Sequence, residues 1–248
     1  MKGRSFGERH FRVKEKGSSP ADIIPIAREL KKRYKDFSHY NRKNPLDELL
    51  LILCSVKRGE KVYLRAFKSL KQAYPTFEKL NRASVIELTK KIEWGGLQNQ
   101  KARSLKKITT TITGKFGRLT LAQLRKMPEE ECEAFLCSLP GVGKKVARCV
   151  MLYSLGMKVF PVDTHCWRIS KRLGWIKANG KHKFCTSQDM DRLQNMVPPK
   201  LRLSLHVNMV SLGREFCLAR SPKCHQCPIT QYCLKDGVSE HRQYGDAT

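Results

Sequence analysis

A lysine and an acid stand at the two ends of one short predicted helix and the loop that follows it. Lys145 ends the glycine turn LPGVGKK of residues 139–145, and Asp163 lies in the string VDTH of residues 162–165. A neutral amine is a nucleophile, and a carboxylate stabilises positive charge that develops beside it. This placement is the starting geometry of a catalytic site, although a helix cap with a solvated lysine would give the same glycine-lysine string.

The turn before Lys145 contains two glycines, Gly141 and Gly143, and opens a helix with an apolar face. Glycine adopts positive φ and lets a ligand approach the backbone closely. The amides of such a turn, at the start of a helix, point outward and suit a phosphate oxygen. Val146 and Val150 follow at helical spacing, which indicates that the helix packs against a core.

Four cysteines near the C-terminal end have the spacing C-x6-C-x2-C-x5-C, at Cys217, Cys224, Cys227 and Cys233. Four thiolates this close together suit a soft metal. The spacing by itself leaves two occupants open, which are tetrahedral zinc and a 4Fe–4S cluster. The other six cysteines show no ligand spacing, and we expect most of them in the core.

Together these motifs resemble those of the endonuclease III family of helix-hairpin-helix DNA glycosylases, over about residues 22–233. The resemblance rests on LPGVGKKVA, on VDTH and on the cysteine spacing. It implies that Lys145 is the nucleophile, that Asp163 is the catalytic acid, and that the four cysteines hold a 4Fe–4S cluster in preference to zinc. It also implies contacts with double-stranded DNA from the hairpin residues Gly141, Val142, Gly143 and Lys144.

Three further DNA-contacting residues follow from the resemblance. Leu97, in the string GLQNQKA of residues 96–102, matches a loop whose apolar side chain wedges into the gap left by a flipped nucleotide; a core leucine at a helix start is the alternative. His165 is expected near a phosphate, or as a hydrogen-bonded structural residue. Lys57 stands where the family has glutamine, so the preferred opposite base and the range of lesions stay open.

The resemblance implies a bifunctional DNA glycosylase and AP lyase of base excision repair. We expect it to flip an oxidised pyrimidine, cleave the glycosidic bond and cut the strand by β-elimination through a lysine Schiff base. Lys144 and the positive end of the helix are expected to lower the pKa of Lys145. Alternatives are a mismatched or methylated pyrimidine, because residues 160–164 and 172–175 also resemble plant 5-methylcytosine glycosylases, or a catalytically silent DNA-binding protein.

The charge balance agrees with a polyanionic partner. The 248 residues include 49 lysines and arginines against 22 acids, for a formal net charge of +27. Because the basic residues are spread over the chain, nucleic acid is favoured over an anionic membrane surface. No apolar run reaches the roughly 20 residues that cross a bilayer, and no signal core is evident. We expect an intracellular, DNA-associated monomer in a reducing compartment.

Helical periodicity without alternating strand patterns predicts an all-α fold. The resemblance implies a six-helix barrel domain over residues 46–162, with the helix-hairpin-helix near residues 138–155. An iron–sulfur domain would combine residues 21–45 and 163–235. Residues 1–20 are expected to form a flexible basic arm and residues 236–248 a tail. Ser84 and Glu87 form a capping-box pattern that predicts a helix start.

Overall fold

The computed structural model describes residues 22–36, 41–55, 59–92, 97–176 and 184–238. The all-α prediction is confirmed, because these residues form eleven α-helices and no strand. The helices are α1 Ile23–Tyr34, α2 Pro45–Ser55, α3 Glu60–Ala73, α4 Phe77–Arg82, α5 Val85–Lys91, α6 Gln98–Phe116, α7 Glu129–Ser138, α8 Lys144–Ser154, α9 Thr164–Arg172, α10 Ser187–Met196 and α11 Arg202–Glu215.

Helix α2 lies at the centre of a first hydrophobic core. Its sequence is apolar almost all round, as expected for a helix that is covered on every side, and Leu46, Leu49 and Leu50 are fully buried. It packs against α3 and against α8. This core extends from Leu46 to Val159 and includes residues of all the helices from α2 to α8.

A second hydrophobic core joins the N-terminal helix to the C-terminal half of the chain. Ile26 and Leu30 of α1 pack with Leu205 and Met209 of α11, and α9 packs against α11. The buried residues of this core come from residues 23–30 and 160–229. These two cores support the expected division into a barrel domain and a discontinuous second domain, which stays a proposal.

Local sequence signals set the helix ends. The predicted capping box is confirmed, with Ser84 and Glu87 each bonded to the other's backbone N–H. A second box, at Thr186 and Asp189, opens α10. Pro128 is the residue before α7, which begins at Glu129. The proline ring fixes φ and supplies no N–H, which suits a position that precedes the first turn of a helix.

Several expectations lie outside the described residues. Lys57, the basic arm of residues 1–20 and the tail beyond Val238 belong to the ranges for which the structure gives no description. Their roles therefore stay predictions. Among the described helices, none combines the length and the apolar character that crossing a membrane requires.

Two helical glycines give a matched test of how tightly α11 packs on α9. A Cβ added at Gly213 would lie 2.7 Å from the Cβ of His165, whereas one added at Gly114 in α6 would meet no atom within 4 Å. We expect Gly213→Ala to lower the free energy of unfolding, because overpacking costs about 1–3 kcal/mol. Gly114→Ala should raise it by about 0.5–1 kcal/mol, since alanine favours a helix.

Urea unfolding monitored by circular dichroism measures both changes. Equal effects of the two substitutions would contradict the close approach of His165 to α11.

Candidate active site

The hairpin between α7 and α8 presents backbone amides at its tip. Gly141 has a φ of +79° and is exposed, and the Val142 N–H donates to the Leu139 carbonyl at 3.1 Å, which closes the turn. Gly143 is the N-cap of α8 and has no side chain to satisfy the first N–H groups of the helix. Such unsatisfied amides at a helix start attract anions. Val142 has its side chain buried.

Lys145 and Asp163 line one cavity. Its volume is about 120 Å³, and it lies where α8, α2 and α11 meet the loop before α9. Lys145 faces it from the first turn of α8, and Asp163 from the residue before α9. The two predicted catalytic residues are thus brought together. The full lining is Asn41, Glu48, Leu51, Ile52, Ser55, Tyr63, Lys145, Cys149, Tyr153, Asp163, His206, Val210 and Arg214.

Asp163 has a structural role as well as a place in the cavity. Its Oδ1 accepts a hydrogen bond from the Cys166 N–H at 2.8 Å, which caps α9. Burial pushes the pKa of this carboxyl upward, but the charge of His206, the Cys166 N–H and nearby cations outweigh burial and hold the pKa below its usual value. Asp163 is therefore ionised at neutral pH, as stabilisation of a cation requires.

The expectation that Lys145 has a lowered pKa is wrong. The charge of the Cys149 thiolate is the largest cause of a raised pKa, Asp163 and Glu48 add to it, and burial opposes them without prevailing. Burial also raises the pKa of Cys149 to about 11. That thiol is therefore neutral near pH 7. Because the pKa of Lys145 is raised above its usual value, the amine is protonated near pH 7 in the free protein.

Lys144 forms ion pairs with two carboxylates, which largely offset the effect of its charge on the pKa of Lys145. Its Nζ lies 2.7 Å from Asp191 Oδ2 and 3.4 Å from Glu133 Oε1. The same two acids bind the buried Arg148, whose Nε donates to Glu133 at 2.6 Å. These ion pairs tie α7 and α8 to α10. The predicted contact of Lys144 with DNA stays a proposal, in which either its backbone N–H or its side chain binds the DNA.

His165 and Leu97 occupy different surroundings. His165 is half-buried beside Arg168, whose Nη2 lies 3.1 Å from the His165 Nδ1. Burial is the main cause of the lowered pKa of His165, so the imidazole is neutral at pH 7. It lines a wider cleft of about 820 Å³ together with Lys145, Asp163 and Trp167. Leu97 precedes α6 with a φ of +55° and is 56% exposed, so it is not the core leucine of the alternative interpretation.

The four predicted cysteine ligands line one small apolar cavity. Arg172 Nη1 donates to Cys217 Sγ at 3.1 Å, and the Lys235 N–H donates to Cys233 Sγ at 3.4 Å. Burial and then the charges of the other three cysteines raise the pKa of Cys233 to about 11. Four thiolates here repel one another unless a cationic group lies between them, so this donor set fits an iron–sulfur cluster.

In the part of the chain that the structure describes, no three His, Cys, Asp or Glu side chains form a group that could hold a metal ion. The fit of the cysteine cavity to a cluster therefore rests on the soft thiolate donors and on their shared lining of one cavity.

Sequence reasoning missed two residues of the smaller cavity. Glu48 is 1% exposed and His206 is 2% exposed, and both line it with Lys145. His206 Nδ1 lies 3.4 Å from Cys166 Sγ, and its ring contacts the rings of Tyr153 and Phe160. A signal for Glu48 was present, because an acid within an otherwise apolar helix either pairs or is functional. No local pattern marks His206.

Comparison with known proteins agrees with the geometry. Residues 48–194 match the family model of HhH-GPD superfamily base excision DNA repair proteins. Residues 217–233 match the iron–sulfur binding domain of endonuclease III. The second match covers the four cysteines and confirms that the segment binds an iron–sulfur group.

Individual relatives match most of the chain. Endonuclease III of Thermotoga maritima is 28% identical over 211 residues, which is 85% of this chain and 92% of that protein. Endonuclease III of Bacillus subtilis is 30% identical over 190 residues, covering 77% and 81%. The structure of a non-covalent endonuclease III–DNA complex aligns with a TM-score of 0.73 at 26% identity, covering 88% of this chain and 96% of that one.

The fold, the hairpin, the shared cavity of Lys145 and Asp163 and the cysteine segment therefore agree with the resemblance. The chain belongs to the endonuclease III family within the HhH-GPD superfamily of base excision DNA repair proteins, as an enzyme of the DNA glycosylase and AP lyase class.

Proposed function

We propose that the chain removes a damaged base, most simply an oxidised pyrimidine, from double-stranded DNA through a covalent lysine intermediate. The observation that carries this proposal is the shared cavity of Lys145 and Asp163 beside a hairpin whose amides suit a phosphate. A base is unreachable while it is stacked, so its nucleotide must leave the duplex before reaction. The hairpin holds the backbone next to the cavity that receives the sugar.

The first step replaces one bond at C1′ with another. The bond between C1′ and the base nitrogen breaks, and its electron pair leaves with the base, which takes up a proton. The sugar gains positive charge as this happens, and the ionised carboxylate of Asp163 stabilises that charge. The neutral amine of Lys145 then bonds to C1′, which opens the sugar ring to a Schiff base.

The second step cuts the strand. The Schiff base acidifies the C2′ proton, because the electron pair released by its removal is delocalised toward the iminium nitrogen. Loss of that proton expels the 3′ phosphate as the bond between C3′ and its oxygen breaks. Water then hydrolyses the imine and releases Lys145. These steps give the AP-lyase product without a metal at the reaction centre.

The wide cleft beside Lys145 offers room for the flipped nucleotide. Its volume is about 820 Å³, and its lining includes the aromatic rings of Trp167 and the 80% exposed Phe184, with Arg214. Arg168 also lines the cleft, but its guanidinium donates to the backbone carbonyls of Thr164, Gly213 and Cys217. Aromatic side chains stack on an extrahelical base, and arginines bind phosphate. Leu97, exposed at the start of α6, supplies the wedge that fills the vacated place in the duplex.

The iron–sulfur group is proposed to be a 4Fe–4S cluster held by Cys217, Cys224, Cys227 and Cys233. When it is bound, it fixes the segment after α11. Arg220 and Lys223 belong to this segment, where they can meet DNA phosphates. Arg172 stabilises the assembly through its donation to Cys217.

Borohydride trapping tests the nucleophile. With a duplex that contains an abasic site, we expect a covalent protein–DNA adduct that Lys145→Ala abolishes, since no amine remains in the cavity. Lys158→Ala, which removes an exposed lysine after α8, should trap normally.

The same assay on a panel of duplexes with thymine glycol, dihydrouracil, uracil, 5-methylcytosine and G·T pairs then identifies the base that the protein removes. Undiminished trapping by Lys145→Ala would contradict the proposal, and tight binding without any adduct would favour a silent binder.

Two substitutions separate the two roles of Asp163. Asparagine caps helices about as well as aspartate, so Asp163→Asn should keep the cap of α9 while it slows base release by about 10²- to 10³-fold. Asp163→Ala should lose both, with a further cost of about 1 kcal/mol in stability. Single-turnover excision and thermal unfolding measure the two effects. Full activity in Asp163→Asn would rule out a role for the charge.

Iron and sulfide analysis tests the cluster. Anaerobically purified protein should contain equal molar amounts of iron and acid-labile sulfide and should absorb visible light. Cys227→Ser should lose both, whereas Cys132→Ser, at a buried cysteine of α7, should retain them. Zinc without sulfide in the unaltered protein would contradict the 4Fe–4S assignment.

A further inference from the structure

Lys145 presents a chemical difficulty that the proposed function does not solve. Its pKa is raised, by Cys149 first and then by Asp163, Cys166 and Glu48 against the opposing effect of burial, yet only the neutral amine attacks C1′. Asp163 is a weak proton acceptor, because its carboxyl pKa is held below the usual value. A different group must take the proton from the lysine before the covalent step.

Glu48 is placed to do so. It belongs to the central helix α2, is 1% exposed, and lines the same 120 Å³ cavity as Lys145 and Asp163. A cavity of this size accommodates water, so a proton can pass from the amine to the carboxylate through a water molecule. The Glu48 Oε2 accepts a hydrogen bond from the Arg42 N–H at 2.6 Å, which orients the carboxylate.

We propose that Glu48 is the general base that deprotonates Lys145 and returns the proton to the departing hydroxyl during Schiff-base formation. This rests on the proposed function, since it concerns the same amine. The ammonium of Lys145 gives one proton to Glu48, and the free amine adds to the C1′ aldehyde of an abasic site to form a carbinolamine. Glu48 then protonates the hydroxyl, which leaves as water. The net result is an iminium ion, one water and the original carboxylate.

The protonation behaviour of Glu48 fits this role. Burial raises the pKa of Glu48 to about 7, with the Arg42 N–H and the charges of Arg42 and Lys145 opposing it. A general base is most efficient when its pKa lies near the working pH. The ionisable groups that face it are Arg42 before α2, Tyr63 of α3, Lys145, Cys149 and Tyr153 of α8, Asp163 before α9, and His206 and Arg214 of α11.

A purely structural role for Glu48 makes a different prediction. The visible structural contact is the bond from the Arg42 N–H, and the amide oxygen of glutamine accepts the same bond. Glu48→Gln therefore keeps the shape and the acceptor and removes the titratable carboxylate together with its charge. Loss of that charge by itself would lower the pKa of Lys145 and favour the neutral amine, so a slower rate reports the missing base. The matched control is Asp47→Asn on the same helix, because Asp47 pairs with Lys71 at 3.0 Å and does not line the cavity.

The experiment measures single-turnover Schiff-base formation by borohydride trapping on an abasic-site duplex between pH 6 and 9. The unaltered protein should show a rate that rises with pH and levels off above about pH 7, as Glu48 ionises. The Glu48→Gln variant should form the Schiff base about 10²- to 10⁴-fold more slowly near pH 7. This rate deficit should shrink as the pH rises, because solvent then deprotonates the Lys145 amine without the help of Glu48. Asp47→Asn should follow the unaltered protein.

A Glu48→Gln rate within twofold of the unaltered protein, or a deficit that stays the same at every pH, would overturn the inference. If Glu48→Gln does not fold, a pH-independent rate in the unaltered protein would overturn it instead. These outcomes differ from failure of the proposed function, in which the unaltered protein forms no adduct and the inference falls with it.

Discussion

One constraint shapes the site: the Lys145 amine shares a small cavity with the carboxyl groups of Asp163 and Glu48. A buried charge is costly unless other charges compensate it, and Cys149, Asp163 and Glu48 raise the pKa of Lys145 against the effect of burial. The amine is therefore protonated near neutral pH. In the mechanism that we propose, the reaction begins when a proton leaves this amine.

The rest of the fold brings these groups together from distant parts of the chain. Helix α2 carries Glu48 through the first core, and the N-cap of α9 fixes Asp163 at the edge of the second. The ion pairs of Arg148 with Glu133 and Asp191 hold α8 against its neighbours. The glycine turn of the hairpin directly precedes Lys145 on α8, so in the mechanism that we propose one element serves both DNA positioning and catalysis. The cysteine segment is proposed to add basic side chains for the DNA.

The features that could be predicted from the sequence are those encoded by residues close together in the chain. Lys145, Asp163 and the four cysteines belong to short strings with fixed spacing, and the all-α pattern follows from periodicity. The place of Glu48 in the site was missed because Lys145, which lines the same cavity, lies on α8, far along the chain, and only packing of α2 on α8 brings them together. The pKa of Lys145 was predicted in the wrong direction, because the nearest charge in sequence, Lys144, is engaged by Asp191 and Glu133. The groups that raise this pKa are Cys149, one turn further along α8, and then Asp163 and Glu48 from other elements.

The central claim is that the amine of Lys145 forms the bond to the sugar, and peptide mapping of the reduced adduct tests it most directly. After borohydride reduction on an abasic-site duplex and digestion with nuclease and protease, mass spectrometry locates the deoxyribose remnant on the peptide. The account predicts the remnant on Lys145. A remnant on Lys144, or on any other amine of the chain, would contradict it.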